Sequence, residues 1–175
     1  LSRGLGDVYK RQESDLNVFI ILDMSASMAV EKKKFNFAKQ IVLSLGYIAL
    51  RAGDKVSFVM LGAGKTPSYV GPRAFVKAQK EIFGTDYVEE FDFVNEIRKA
   101  LSVSKIPGKC FLISDFLFDT ETQFQALDLI RAKNFELSLV QTLAPGEASL
   151  EDIDGALLVD DETGEKLDFS SSVAL

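Results

Sequence analysis

Val18 to Met28, Val-Phe-Ile-Ile-Leu-Asp-Met-Ser-Ala-Ser-Met, is the stretch from which the fold of this 175-residue chain can be read. Its opening run, Val18 to Leu22, is apolar throughout and rich in β-branched and aromatic side chains. A strand with one wet face alternates apolar and polar residues, whereas a strand covered on both faces is apolar at every position. The run therefore predicts an inner strand of a parallel sheet. It stops at Asp23, and oxygen-bearing side chains then stand at alternate positions, Asp23, Ser25 and Ser27, past the strand end and before a helix begins. In open α/β sheets ligands sit at that edge. One carboxylate and two hydroxyls suit a hard divalent cation, since Mg²⁺ takes oxygen ligands at about 2.1 Å and keeps several waters. The same residues admit a second reading, in which Asp23 caps a turn and the serines satisfy nearby backbone groups.

Outward from that stretch, Glu31 to Lys34 reads as a charged, solvated connection. Phe35, Ala38, Ile41, Val42, Leu45, Ile48 and Ala49 then recur at helical spacing, one face of an amphipathic helix that ends near Gly53. Lys55 to Leu61 is a second buried strand, so strand, helix and strand form a right-handed βαβ unit. Gly62 to Pro72 reads as a loop with a short edge strand around Ser68 to Val70, and Lys65 lacks the glycine spacing of a phosphate-binding loop. Helices are predicted over Phe75 to Phe83, Val88 to Val103 and Thr122 to Ala132, and strands over Lys109 to Ser114 and Glu136 to Gln141. After a break at Pro145-Gly146, Ser149 to Ile153 reads as a helical turn, and Glu162 to Glu165 as a hairpin turn between Gly155 to Asp160 and Lys166 to Phe169. Asp115 ends its strand as Asp23 ends the first. It is a second carboxylate for one ion, direct or through water, provided the two strands are neighbours.

Composition narrows the function. Hydrophobic residues make up 47% of the chain and mean hydropathy is +0.10, which fits one globular domain with a substantial core. No apolar run approaches the roughly 18 residues that cross a bilayer and no signal-peptide pattern opens the chain, so no membrane contact and a cytoplasmic location are expected. The single cysteine, Cys110, lies in an apolar run and reads as a reduced core residue. A net charge of -6 with pI ≈ 4.8 speaks against nucleic acid as a partner, because phosphate binding needs a basic surface. Histidine is absent, which removes Ser-His and Cys-His nucleophile pairs, histidine proton shuttles and histidine-ligated zinc, and with them most common hydrolase mechanisms. Residues 1–12 stand apart: Asp7 to Gln12, Asp-Val-Tyr-Lys-Arg-Gln, looks like the conceptual translation of a sequencing-library adapter, leaving residues 13–175 as the domain.

The pattern Asp-x-Ser-x-Ser after an apolar strand, followed by Met28, resembles the metal-ion-dependent adhesion motif of von Willebrand factor A domains. Further pieces resemble the bacterial domain-of-unknown-function 58 family, whose members contain such a domain: Ala49 to Val56, Ile113 to Phe116, Pro145-Gly146-Glu147 and Val159 to Glu165. The resemblance runs over residues 17–169. It implies a three-layer, Rossmann-like von Willebrand factor A fold, an α/β architecture with a mainly parallel six-stranded central sheet flanked by helices. It also implies a metal shell of Asp23, Ser25, Ser27 and Asp115 holding Mg²⁺ or Mn²⁺. Adhesion-type sites add a threonine ahead of the helix leading to the second acidic strand. Thr85 is the candidate, while a shorter register would place Phe91-Asp92 there and delete the threonine. The region upstream of Glu13 and the closing helix of the family pattern are missing, so the chain is expected to be a fragment truncated at both ends.

The function so implied is a metal-dependent protein-binding module and not an enzyme, in which an acidic residue of a protein partner completes the ion's open coordination position. Members of the family are often encoded beside MoxR-type AAA+ ATPases, which makes an adaptor role in ATP-driven protein maturation the expectation. Two other readings remain open. One is a metal-free scaffold with the same fold. The other is a Mg²⁺-dependent phosphatase using Asp23 as nucleophile, which would have serine at position 25 where an acid is needed to protonate the leaving group.

Overall fold

The computed structural model describes residues 16–104 and 106–148, together with strand residues 157–159 and 166–168. In chain order the elements are β1 (Asn17–Leu22), α1 (Ala26–Ala29), α2 (Lys32–Ala52), β2 (Lys55–Met60), β3 (Ser68–Val70), α3 (Phe75–Phe83), α4 (Phe93–Ser102), β4 (Lys109–Ser114), α5 (Thr120–Ala132), β5 (Glu136–Gln141), α6 (Pro145–Ala148), β6 (Leu157–Val159) and β7 (Lys166–Asp168). A 3-10 turn, Pro72–Ala74, leads into α3.

β1 sits at the centre of a five-stranded sheet ordered β3-β2-β1-β4-β5, parallel except for the short edge strand β3. Successive side chains of a strand point to opposite faces, and here both faces are covered. Val18, Ile20 and Leu22 join Val56, Phe58 and Met60 under α2 and α3, while Phe19 and Ile21 join Val59, Cys110 and Leu112 under α4 and α5. That double burial is why the run Val18 to Leu22 is apolar without alternation. Cys110 is buried and free, and burial pushes its thiol up to about 12.

Six strands were expected in the sheet; the described residues hold five. β6 and β7 pair antiparallel with each other as a separate two-stranded sheet. The hairpin turn expected at 162–165 and the helical turn expected at 149–153 lie outside the described residues. Pro145-Gly146, read as a break, opens the short helix α6.

Three helix starts also differ, α5 beginning at Thr120 instead of Thr122. α2 starts at Lys32 instead of Phe35, because its buried stripe of Phe35, Ala38 and Val42 continues back to Lys34. It ends where expected, at Gly53, whose φ of 93° turns the chain back so that the Asp54 N–H donates to the Ala49 carbonyl at 3.0 Å. α4 starts at Phe93, not Val88, because the Asp92 side chain accepts from the Asn95 N–H at 2.9 Å and caps the helix there. The preceding residues run along the site loop instead, and the Val88 N–H donates to the Met24 carbonyl at 2.8 Å. Among the described residues no helix is long and apolar enough to cross a membrane.

Candidate metal centre

From β1 the chain moves outward to β2 and β3 on one side and returns to build β4 and β5 on the other. The direction of sheet growth reverses between β1 and β4, and such a switch point leaves a crevice at the carboxyl ends of the two strands. Asp23 and Asp115 are the first residues past those ends. Leu22 lies opposite Ile113, and the Asp23 N–H donates to the Ile113 carbonyl at 2.9 Å, so Asp115 leaves its strand one residue beyond the level of Asp23 on the neighbouring one.

Hydrogen bonds join four of the five residues expected in the metal shell. Asp23 Oδ1 accepts from the Ser25 N–H at 2.9 Å, the Ser25 and Ser27 hydroxyls are 3.0 Å apart, and Ser27 Oγ donates to Asp115 Oδ1 at 3.4 Å. Both carboxylates are fully buried, and the two serines are partly exposed. The spacing fits an octahedral ion: ligands at about 2.1 Å set neighbouring oxygens roughly 3.0 Å apart, the separation of the two hydroxyls. Among the described residues no group of three or more His, Cys, Asp and Glu side chains gathers where it could hold an ion. The donor set is two carboxylates and two hydroxyls, hard oxygens of low total charge, which suits Mg²⁺ or Mn²⁺ better than a soft metal.

Thr85, the fifth expected residue, is buried but directed elsewhere. Its hydroxyl donates to the Glu81 carbonyl at 2.8 Å, closing the end of α3, and its carbonyl accepts from Lys39 Nζ at 2.7 Å.

Three side chains that sequence reasoning missed complete the surroundings. Ser114 Oγ donates to Asp23 Oδ2 at 2.6 Å and accepts from the Phe116 N–H at 2.9 Å. Lys34, expected in a solvated connection, is 1% exposed at its side chain; its ammonium pairs with Asp115 Oδ2 at 3.0 Å and Glu147 Oε1 at 2.6 Å. Glu147 is fixed in turn by the Ala144 N–H at 2.7 Å. A signal for Lys34 was present, since it stands one helical turn before Ala38 and two before Val42 on the buried stripe.

These contacts set the electrostatics. Burial pushes the Asp23 carboxyl above its ordinary 3.8, hydrogen bonds from Ser114 and Ser25 pull it back, and the neighbouring charge of Asp115 pushes it up again. Burial alone would lower Lys34, but its bonds to Glu147 and Asp115 outweigh that and hold its pKa above 10.5. Beside Ser25 and Ser27 lies a groove of about 550 Å³ with aromatic walls, Phe91, Phe93 and Phe118, and an acidic rim, Glu89, Glu90 and Asp92.

The family described as "Protein of unknown function DUF58" matches residues 8–174. No curated protein matches the chain. Among solved structures, the conserved hypothetical protein BatB from Bacteroides thetaiotaomicron is similar with a TM-score of 0.52 at 16% identity, over 87% of this chain and 75% of that one. An aerotolerance-related membrane protein from Bacteroides fragilis NCTC 9343, carrying multiple mutations to serines, gives a TM-score of 0.49 at 16% identity over 89% and 81%.

Proposed function

We propose that this chain, which belongs to the DUF58 family, is a von Willebrand factor A-type module that binds a protein partner through a Mg²⁺ or Mn²⁺ ion held by Asp23, Ser25, Ser27 and Asp115. The observation that carries this reading is the hydrogen-bonded row of four oxygen-bearing side chains at the β1–β4 switch point, with the two hydroxyls spaced like adjacent ligands of a small ion. Such a site supplies two carboxylates, and the Lys34 ammonium offsets one of them. A bound ion therefore keeps positive charge for an incoming carboxylate. The partner segment that fits presents one acidic residue flanked by basic and apolar ones, because the groove it must enter has an acidic rim and aromatic walls. A MoxR-type AAA+ ATPase, with this chain as adaptor in protein maturation, is the partner class that the family resemblance suggests.

A second reading has an observation of its own. The Lys34–Asp115 pair already neutralises the second carboxylate without any ion, as a metal-free scaffold of the same fold would require. Calorimetric titration of Mg²⁺ and Mn²⁺ into the chelator-stripped protein separates the two. Saturable binding, lost in Asp23→Ala with the circular-dichroism spectrum unchanged, is expected for the metal site. Absence of heat with both ions leaves the scaffold.

A further inference from the structure

We propose that Lys34 makes the site selective for a six-coordinate ion against Ca²⁺, by occupying one oxygen of Asp115 and leaving that carboxylate a single oxygen to offer. This inference rests on the metal-site reading above.

Mg²⁺ is satisfied by single oxygens from one or two carboxylates plus waters in an octahedron, whereas Ca²⁺ favours six to eight ligands and commonly takes both oxygens of a carboxylate. With only two carboxylates in the row, a seven- or eight-coordinate ion gains most from chelation by at least one of them. Both are engaged on their far oxygen: Asp23 Oδ2 by the Ser114 hydroxyl at 2.6 Å and Asp115 Oδ2 by the Lys34 ammonium at 3.0 Å. The two restraints differ in kind. A neutral hydroxyl can rotate and offer a lone pair to a cation. A buried ammonium carries a full positive charge, and a second cation on the same oxygen meets direct repulsion in a setting of low dielectric. Lys34 is not free to swing aside, since it is packed within a 21-residue helix and anchored on Glu147 at 2.6 Å. Asp115 is fixed on its other side as well, with Oδ1 accepting from Ser27 Oγ and from the Leu117 N–H at 3.2 Å, which holds the near oxygen toward the serine row. Lys34 thus acts as a positioning residue, through Asp115, on an ion it does not touch.

The test is calorimetric titration of Mg²⁺, Mn²⁺ and Ca²⁺ into the whole chain as wild type, Lys34→Met, and Lys34→Met combined with Glu147→Gln. The double variant removes a carboxylate that the single one leaves unpaired, so folded protein remains available. Both variants are expected to gain Ca²⁺ affinity relative to Mg²⁺ by about tenfold, the size of change typical when a group ordering a metal ligand is removed. Equal gains for all three ions would mean that Lys34 acts only through its charge, and would overturn the inference. A wild type that binds Mg²⁺ with an ion preference unmoved in both variants would overturn it and leave the metal site standing. A wild type that binds no divalent ion would remove the metal site itself, and the inference with it.

Discussion

Asp23 works against the fold that holds it. Its carboxylate is fully buried near a second one, and its pKa is raised, so the folded chain favours the protonated form. A raised acid pKa means that stability is present below 3.8 and is lost as pH rises through the folded value. The Asp23 charge therefore costs the ion-free protein stability wherever the group is ionised. Asp23→Asn keeps an acceptor for the Ser25 N–H and removes that charge. It should raise the thermal midpoint in chelator by the equivalent of roughly 1 kcal/mol, as replacement of buried charge by a neutral group often does, while abolishing stabilisation by Mg²⁺. A variant that melts below wild type in chelator would count against this account. Asp23, Ser25, Ser27 and Asp115 were legible in the sequence because each follows an unmistakable strand. Lys34 was not, because a run of three lysines reads by composition as solvated surface, and only the phase of the helix behind it shows that the third one turns inward.

At the scale of the element, α2 packs against the sheet at Gly46, where the Phe58 ring fills the space a side chain would take. A methyl group there would overlap the ring of Phe58, itself buried under the helix. Helix propensity favours alanine over glycine by about 1 kcal/mol, but overpacking a filled core costs about 1–3 kcal/mol, and with a buried aromatic as the obstacle the second effect should win. Gly46→Ala is expected to lower the urea midpoint with the slope unchanged; a rise would show that Phe58 can move aside at little cost. The strands were legible almost to the residue, since an apolar run bounded by charge or turn residues has few alternatives. The helix starts were not. α4 begins five residues late because Asp92 captures an N–H and fixes the first turn there, which apolar spacing alone does not reveal.

For the molecule as a whole, alkaline pH should be the weak flank. The Tyr69 hydroxyl, donating to Glu81 at 2.6 Å, is pushed from 10.0 up to about 12 by burial and by the Glu81 bond and charge. Its contribution is complete below pH 10.0 and is lost as pH rises through the folded value. The Lys34 pairs behave alike, complete below 10.5 and lost above it. Lys39, lowered by burial, acts in the opposite sense. Urea midpoints are expected to hold to pH 10 and fall between there and 12, with a shallower fall in Tyr69→Phe; a flat profile would contradict the assignment. The order of the strands was the part least legible from residues alone, because nothing in Lys109 to Ser114 says that it pairs with β1 and not with the outer edge. That placement depends on contacts far apart in sequence and on which face each helix covers.

The β1–β4 seam also has a consequence for synthesis. Asp23 and the serines leave the ribosome first, whereas Asp115 follows roughly ninety residues later and has to dock beside a strand already made. At ordinary elongation rates that gap is roughly 5 to 20 seconds. Through that interval the nascent chain carries only half of the proposed site, and the joining of Ser27 to Asp115 marks a polypeptide whose central sheet has closed.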